Sequence, residues 1–310
     1  MPSAAKFPVM AFFDTVEEAE EGGRGERRRR RAARGAGPTL RRTAYIFKVG
    51  DDVRQDVLAL QVLELLKKGF ERAGLDAALY PYGTIPTGFE QGIIEVVPDC
   101  QSRTALGEVS DGGLYDIFMR EYGAPGSPAF EQARSNFIRS SAGYAVAMYL
   151  LQAKDRHNGN ILIKKDGSIV HIDFGFILEI SPGGNFRFES AGFKLSHDMT
   201  QLIDPGRKKR SAQFRQFVDL SCRAFLCARA MAEDIVAVVG LMSESGLPCY
   251  TGAPAWRRGT PVENMRARFR LDLTDRQAAR FFRKVIYDAY DKWTTKYYDI
   301  IQQLQNQYPH

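Results

Sequence analysis

Two short segments concentrate residue types that phosphate chemistry uses. They are Lys154-Asp155-Arg156-His157-Asn158-Gly159-Asn160 and His171-Ile172-Asp173-Phe174-Gly175. A transferring phosphoryl group needs its negative charge neutralised. A carboxylate and a side-chain amide, here Asp173 and Asn160, are the oxygen ligands that a hard cation such as Mg²⁺ takes, with Mn²⁺ as a substitute. Asp155 and His157 both stand as acceptors of a hydroxyl proton, and imidazole is better matched to neutral pH. His157 is therefore read as the base or as a contact to the moving phosphate, with Asp155 positioning it. Arg156 is read as structural, pairing with a nearby carboxylate.

These segments can cooperate only if the chain between them folds back. Ile161–Lys164 and Ile169–Ile172 are short hydrophobic runs around the turn Lys165-Asp166-Gly167-Ser168, the pattern of a β-hairpin whose open end carries both segments. Upstream, residues 7–16 and 44–49 alternate as strands. Asp51 and Asp52 precede a helix with apolar positions 53, 57, 60, 63, 66 and 70, ended by Gly74. A second strand pair is expected at 75–82 and 92–97 around a Gly/Pro-rich turn at 83–88. Downstream, helices are expected at 113–122, 129–153, 212–230, 232–245 and 274–306, the last opened by a Thr274/Gln277 capping box and broken near Trp293. The class is α+β, with a small β-rich N-lobe (1–98) and a larger helical C-lobe (99–310), the bilobal layout of a protein-kinase-like fold.

The chain has 310 residues, 44% hydrophobic and 26% charged, which excludes wholesale disorder. Its net charge of +6 owes much to residues 17–42, where nine arginines accompany five glutamates. That segment reads as a solvated, disordered insert, or as a basic arm for anionic lipid or RNA. The remaining charge is nearly balanced, so no specific nucleic-acid partner is expected. Cys100, Cys222, Cys227 and Cys249 show no zinc-site spacing, pointing to thiols in a reducing, cytosolic compartment. No apolar run is long enough to span a bilayer and the start lacks a signal-peptide core, so membrane contact is expected to be peripheral.

Asp155-Arg156-His157 reverses the His-Arg-Asp order of protein kinases. With Asn158-Gly159-Asn160 and His171-Ile172-Asp173-Phe174-Gly175 it resembles the phosphoinositide 3-kinase and 4-kinase superfamily. IFKVGDDVRQD (46–56), PYG (81–83) and GIIEVV (92–97) resemble the same family. SAAK (3–6), IPTG (85–88), FIRSSAGY (137–144), HIDFGFILE (171–179) with SPGGN (181–185), and SGLPC (245–249) resemble its type III alpha phosphatidylinositol 4-kinases.

This resemblance implies an ATP-dependent lipid kinase making phosphatidylinositol 4-phosphate. Lys48 would meet the ATP phosphates, with Asp56 and Tyr82 supporting the inner pocket. Glu95 and Val97 would form the adenine hinge, Ile172 would line the ATP site, and Ser3 would lie in the phosphate-covering loop. Lys48 as a solvated strand lysine, Glu95 and Val97 as ordinary strand residues, and Ser3 as an ordinary terminus are the bland alternatives. The activation loop, 173–199, is sparsely cationic, which suits an unphosphorylated inositol headgroup; Lys194, with Arg187, is the candidate for its phosphate, or else a solvated loop lysine.

Trp293, Tyr297 and Leu304 form a core or membrane-interface stripe, and Arg207–Arg210 is a basic loop. The resemblance further implies membrane phosphatidylinositol as substrate, a place at the cytosolic face of the plasma membrane, and scaffold partners bound through regions outside this chain, which reads as a fragment. A related Ser/Thr protein kinase and a non-catalytic scaffold are the other readings.

Overall fold

The structure, a computed structural model, describes residues 8–16, 40–108, 113–181, 192–206, 209–252 and 258–291. Strand β1 (Val9–Val16) pairs antiparallel with β2 (Leu40–Val49), Val9 opposite Phe47 and Val16 opposite Leu40. Helix α1 (Arg54–Arg72) follows. Then β3 (Thr84–Gly88) and β4 (Gln91–Glu95) form a tight hairpin, and β4 pairs with β2 to give the sheet order β1-β2-β4-β3.

The expected strand at 75–82 is not formed, and the supposed turn contains a strand instead. Pro86 is tolerated there because β3 is an edge strand with a register shift beside that proline.

The chain clusters into two units, 1–53 with 82–98, and 54–81 with 99–310. This division keeps a boundary after Pro98 and assigns residues 54–81, expected in the N-lobe, to the larger unit. Helix α1 belongs with the larger unit, since Leu58, Leu63, Leu66 and Phe70 are fully buried on elements of that unit.

In the larger unit, β5 (Cys100–Ser102) and α2 (Arg103–Glu108) precede α3 (Leu114–Tyr122) and α4 (Pro128–Leu151). A hairpin, β6 (Ile161–Lys164) and β7 (Ile169–His171), continues the sheet β5-β6-β7. Helices α5 (His197–Ile203), α6 (Ala212–Ala230), α7 (Ala232–Leu241), α8 (Pro248–Thr251), α9 (Pro261–Arg268) and α10 (Asp275–Asp291) complete the described chain. Strand β5 and helices α2, α5, α8 and α9 were not anticipated, because each is too short to show a hydrophobic period. The Thr274/Gln277 capping box does start α10, but the expected stretch beyond it, with Trp293, lies outside the described residues.

Helix α4 is the axis of this unit. Ser127 caps it through the Phe130 amide and Pro128 occupies its first turn. From Phe137 to Leu151 it is buried almost without interruption, which explains an apolar composition on all sides. Gly143 lets the 75–81 segment cross it: a Cβ there would lie 2.4 Å from the Ala78 carbonyl oxygen.

The fully buried Asp204, just after α5, joins the α5–α6 loop to α10. It accepts from Ser211 Oγ (2.7 Å), the Lys209 amide (2.7 Å) and the Tyr290 hydroxyl (2.8 Å). Burial alone would raise its pKa, but these donors outweigh it and hold it below the ordinary value. A depressed carboxylate stabilises the fold above its unfolded pKa, and the contribution fades as pH falls through the folded value. Asp204→Asn should therefore cost about 1–3 kcal/mol at pH 7 in urea unfolding, and the gap to the parent should narrow as pH drops below about 4. A gap independent of pH would contradict the role given to the charge.

Candidate active site

The hairpin brings the two motifs together as expected. Ile161 opposes His171, and one step further the Ile172 amide donates to the Asn160 carbonyl (3.2 Å), leaving Asp173 next in line. The turn is fixed by Gly167, at φ 87°, where a Cβ would strike the Ala133 carbonyl of α4 at 2.6 Å. Asn136 of α4 also donates to the Asp166 carbonyl (2.8 Å), so the hairpin is seated on the central helix.

Arg156 is 2% exposed and bridges the two motifs. Its Nε donates to the Lys154 carbonyl (2.9 Å), one terminal nitrogen to the Ile172 carbonyl (2.6 Å) and the other to the Asp173 carbonyl, while the guanidinium lies over the Phe174 ring. The structural role expected for it is filled here by donation to backbone carbonyls.

Asn160 is nearly buried and its Nδ2 donates to the Asp155 carbonyl (3.0 Å), which leaves the side-chain oxygen as the group able to ligate. Asp155 (φ 59°) and Asp173 (φ 62°) both adopt the left-handed conformation, and Asp173 is exposed. Two non-glycine residues so disposed mark a backbone held for its side chains.

Helix α1 holds the second motif from its first turn. Asp56 Oδ1 accepts the Phe174 amide (2.8 Å), and Gln55 Nε2 donates to the Gly175 carbonyl (2.5 Å) while its Oε1 accepts the Cys249 amide (2.7 Å). Gln55 lies inside the IFKVGDDVRQD motif, yet nothing in its residue type or spacing marks it for this role. It also explains the SGLPC segment, whose Leu247 and Cys249 are fully buried.

His157 Nδ1 accepts the Gly159 amide (3.0 Å), so a neutral ring carries its proton on Nε2, which lies 3.9 Å from Asp155 Oδ2. Burial lowers its pKa, opposed by Asp155 and reinforced by Arg156 and Lys194. His171 is fully enclosed, and burial drives its pKa well down. Lys194 is 8% exposed and lines a small cavity with Ser141 and His171; it is not a solvated loop lysine.

Lys48, Tyr82, Glu95 and Val97 lie in the strand-rich unit. Lys48 sits 3.7 Å from Asp51, and the amides of Glu95 and Val96 are committed to the carbonyls of Gly83 and Ala44. Ser3, Arg187, the 17–39 part of the insert and Arg207-Lys208 of the basic loop lie outside the described residues. Among the described residues, no three His, Cys, Asp or Glu side chains gather as a metal cage. A cation here would be held by Asn160 and Asp173 and completed by substrate oxygens and water, as suits Mg²⁺.

The chain is thus a mixed α+β protein in which one hairpin carries Asn160 and Asp173 at its open end. Residues 42–252 match the family model of phosphatidylinositol 3- and 4-kinases, and the chain belongs to that family. It is 52% identical over 305 residues, 98% of its length, to phosphatidylinositol 4-kinase alpha 1 of Arabidopsis thaliana, and 50% identical over 305 residues to alpha 2 of the same plant. With phosphatidylinositol 4-kinase stt4 of Schizosaccharomyces pombe the identity is 41% over 317 residues. The chain spans 14%, 53% and 16% of the length of these relatives, respectively.

Arg156→Lys should lose about 2–4 kcal/mol of stability, because an ammonium cannot serve three carbonyls from one plane. Urea unfolding of the purified variant measures this, and parental stability would show that the bridge is dispensable.

Proposed function

We propose that this chain is the catalytic domain of a phosphatidylinositol 4-kinase, moving the ATP γ-phosphate to the 4-hydroxyl of phosphatidylinositol. The observation that carries the reading is the fixed placement of Asn160 beside Ile172-Asp173, in a chain whose relatives bear the name phosphatidylinositol 4-kinase. The 4-position rests on those names.

Asn160 and Asp173 would hold Mg²⁺, or Mn²⁺ in its place. The cation supplies charge neutralisation at the phosphate oxygens. By family resemblance Lys48 is assigned to the ATP phosphates, Glu95 and Val97 to adenine, Tyr82 to support of the inner pocket, and Ile172 and Ser3 to ATP binding. Asp56 acts by holding the Phe174 amide, which orients Asp173.

The assignment of the proton acceptor changes from the sequence-based preference. With His157 Nδ1 occupied by the Gly159 amide, its Nε2–H is a donor suited to the moving phosphoryl group, and the Asp155 carboxylate is left to take the hydroxyl proton. Asp155→Asn should then lower kcat by about 10²–10⁴-fold and His157→Gln by less. The opposite ranking in steady-state assays would return the base to His157.

Among the described residues no helix is long and apolar enough to cross a membrane. The lipid substrate places the enzyme peripherally at a membrane, the cytosolic face of the plasma membrane being the reading from family resemblance, with scaffold proteins engaging regions outside this chain. Phosphatidylinositol in vesicles of fixed surface charge should be phosphorylated to the 4-phosphate, resolved chromatographically from its isomers, and the bisphosphorylated lipid should be a poor substrate. Asp173→Asn should abolish turnover with unchanged melting. A different isomer, or equal rates on both lipids, would overturn the substrate assignment.

A further inference from the structure

Helix α4 ends where the first motif begins, and its last carbonyls all need partners. Met148 accepts the Gln152 amide, Gln152 being left-handed at φ 47°. Tyr149 accepts the Gln152 side chain (2.8 Å), and Leu151 accepts the Leu178 amide (2.7 Å). The Leu150 carbonyl takes its partner from a distant helix: Arg268 Nε of α9 donates to it at 2.8 Å.

The same guanidinium reaches in a second direction. Its NH1 lies 2.9 Å from Glu179 Oε1, and Asn264, one turn earlier on α9, donates to Glu179 Oε2 (3.1 Å). Glu179 (φ 80°) and Leu178 (φ 52°) are left-handed residues at the exit of the Asp173-Phe174-Gly175 turn, a backbone that must be held from outside.

Arg268 thus touches the entry to one motif and the exit from the other. Helix α9 is a firm platform for it, with a Thr260/Glu263 capping box, Pro261 in its first turn, and Met265 and Phe269 fully buried. It lies beyond residue 252, where the family match ends.

We infer that Arg268, with Glu179 and Asn264, is a positioning residue for phosphoryl transfer: it sets the register between the loop carrying Asp155 and Asn160 and the loop carrying Asp173. The inference deepens the kinase reading and rests on it for the link to turnover. Arg268 and Glu179 are both largely buried (side-chain exposures 9% and 16%), so the pair is not a screened surface bridge. Burial lowers the arginine pKa to about 10, opposed by Glu179, and it stays charged at neutral pH. Lysine could reach one of the two partners but not fork between them.

Amide hydrogen exchange on the full chain tests this without depending on activity. Besides the Ile172 to Asn160 bond, two backbone bonds join the segments, Lys154 to the Phe176 carbonyl (2.8 Å) and Leu178 to the Leu151 carbonyl; the Lys164 amide, bonded to Ser168 at the far end of the hairpin, is the internal control. Glu179→Gln and Arg268→Lys should each speed exchange at Lys154 and Leu178 about tenfold, with Lys164 unchanged.

On phosphatidylinositol they should lower kcat by a similar factor and leave KM for ATP within about twofold. Asn264→Ala should give a smaller change of the same pattern, and it serves if the other variants do not fold. Equal acceleration at all three amides would reduce the cluster to general stability and overturn the inference, as would no acceleration at all. Loss of kinase activity in the parent chain would instead overturn the functional reading, and the exchange pattern would still decide the positioning role.

Discussion

The Arg156 guanidinium is the interaction on which the site depends. It is almost fully enclosed and donates to three carbonyls, one in the first motif and two in the second. A buried cation so placed is stabilised by oriented dipoles, and removing it would leave several carbonyls desolvated at once. Its sequence position, between Asp155 and His157, puts this anchor next to both residues proposed for the proton and phosphate contacts. Chemistry and scaffold are interleaved residue by residue.

Around this bridge the chain holds unfavourable backbone. Asp155, Asp173, Leu178 and Glu179 are all left-handed, a conformation that costs non-glycine residues of order 1–3 kcal/mol each. The cost is offset by packing on three sides: α4 beneath the hairpin, Gln55 and Asp56 of α1 on the Phe174-Gly175 backbone, and α9 at Glu179. This explains why α1 packs with the larger unit although it follows a strand of the smaller one. Its first turn has two polar contacts to make there.

Much of this was legible in the sequence because it is local. The hairpin followed from Lys165-Asp166-Gly167-Ser168 between two apolar runs, and α3, α4 and α6 from long helical periods. Family membership followed from contiguous motifs. Long-range polar contacts left no such trace. Gln55 in a motif and Arg268 in an arginine-rich stretch look like surface residues until the fold encloses them. The strand at 84–88 was misread as a turn because Pro and Gly usually mark turns, and an edge strand tolerates them. For Lys194 the sequence leaves a phosphate contact and a solvated loop lysine both open, because charge alone says nothing of where a loop packs, and its burial removes the second. Imidazole acidity favours His157 as proton acceptor, and the Gly159 amide on its Nδ1, a contact invisible in the sequence, is what supports the proposed change to Asp155.

On the function proposed above, Asn160 and Asp173 hold one cation together at the base of the hairpin. A crystal structure with Mn²⁺ and a non-hydrolysable ATP analogue, read by the anomalous signal of the metal, tests it most directly. The expected result is a metal peak bonded to both Asn160 Oδ1 and an Asp173 carboxylate oxygen, at distances near the about 2.1 Å of an octahedral magnesium site. Nucleotide-bound metal touching neither residue would contradict it.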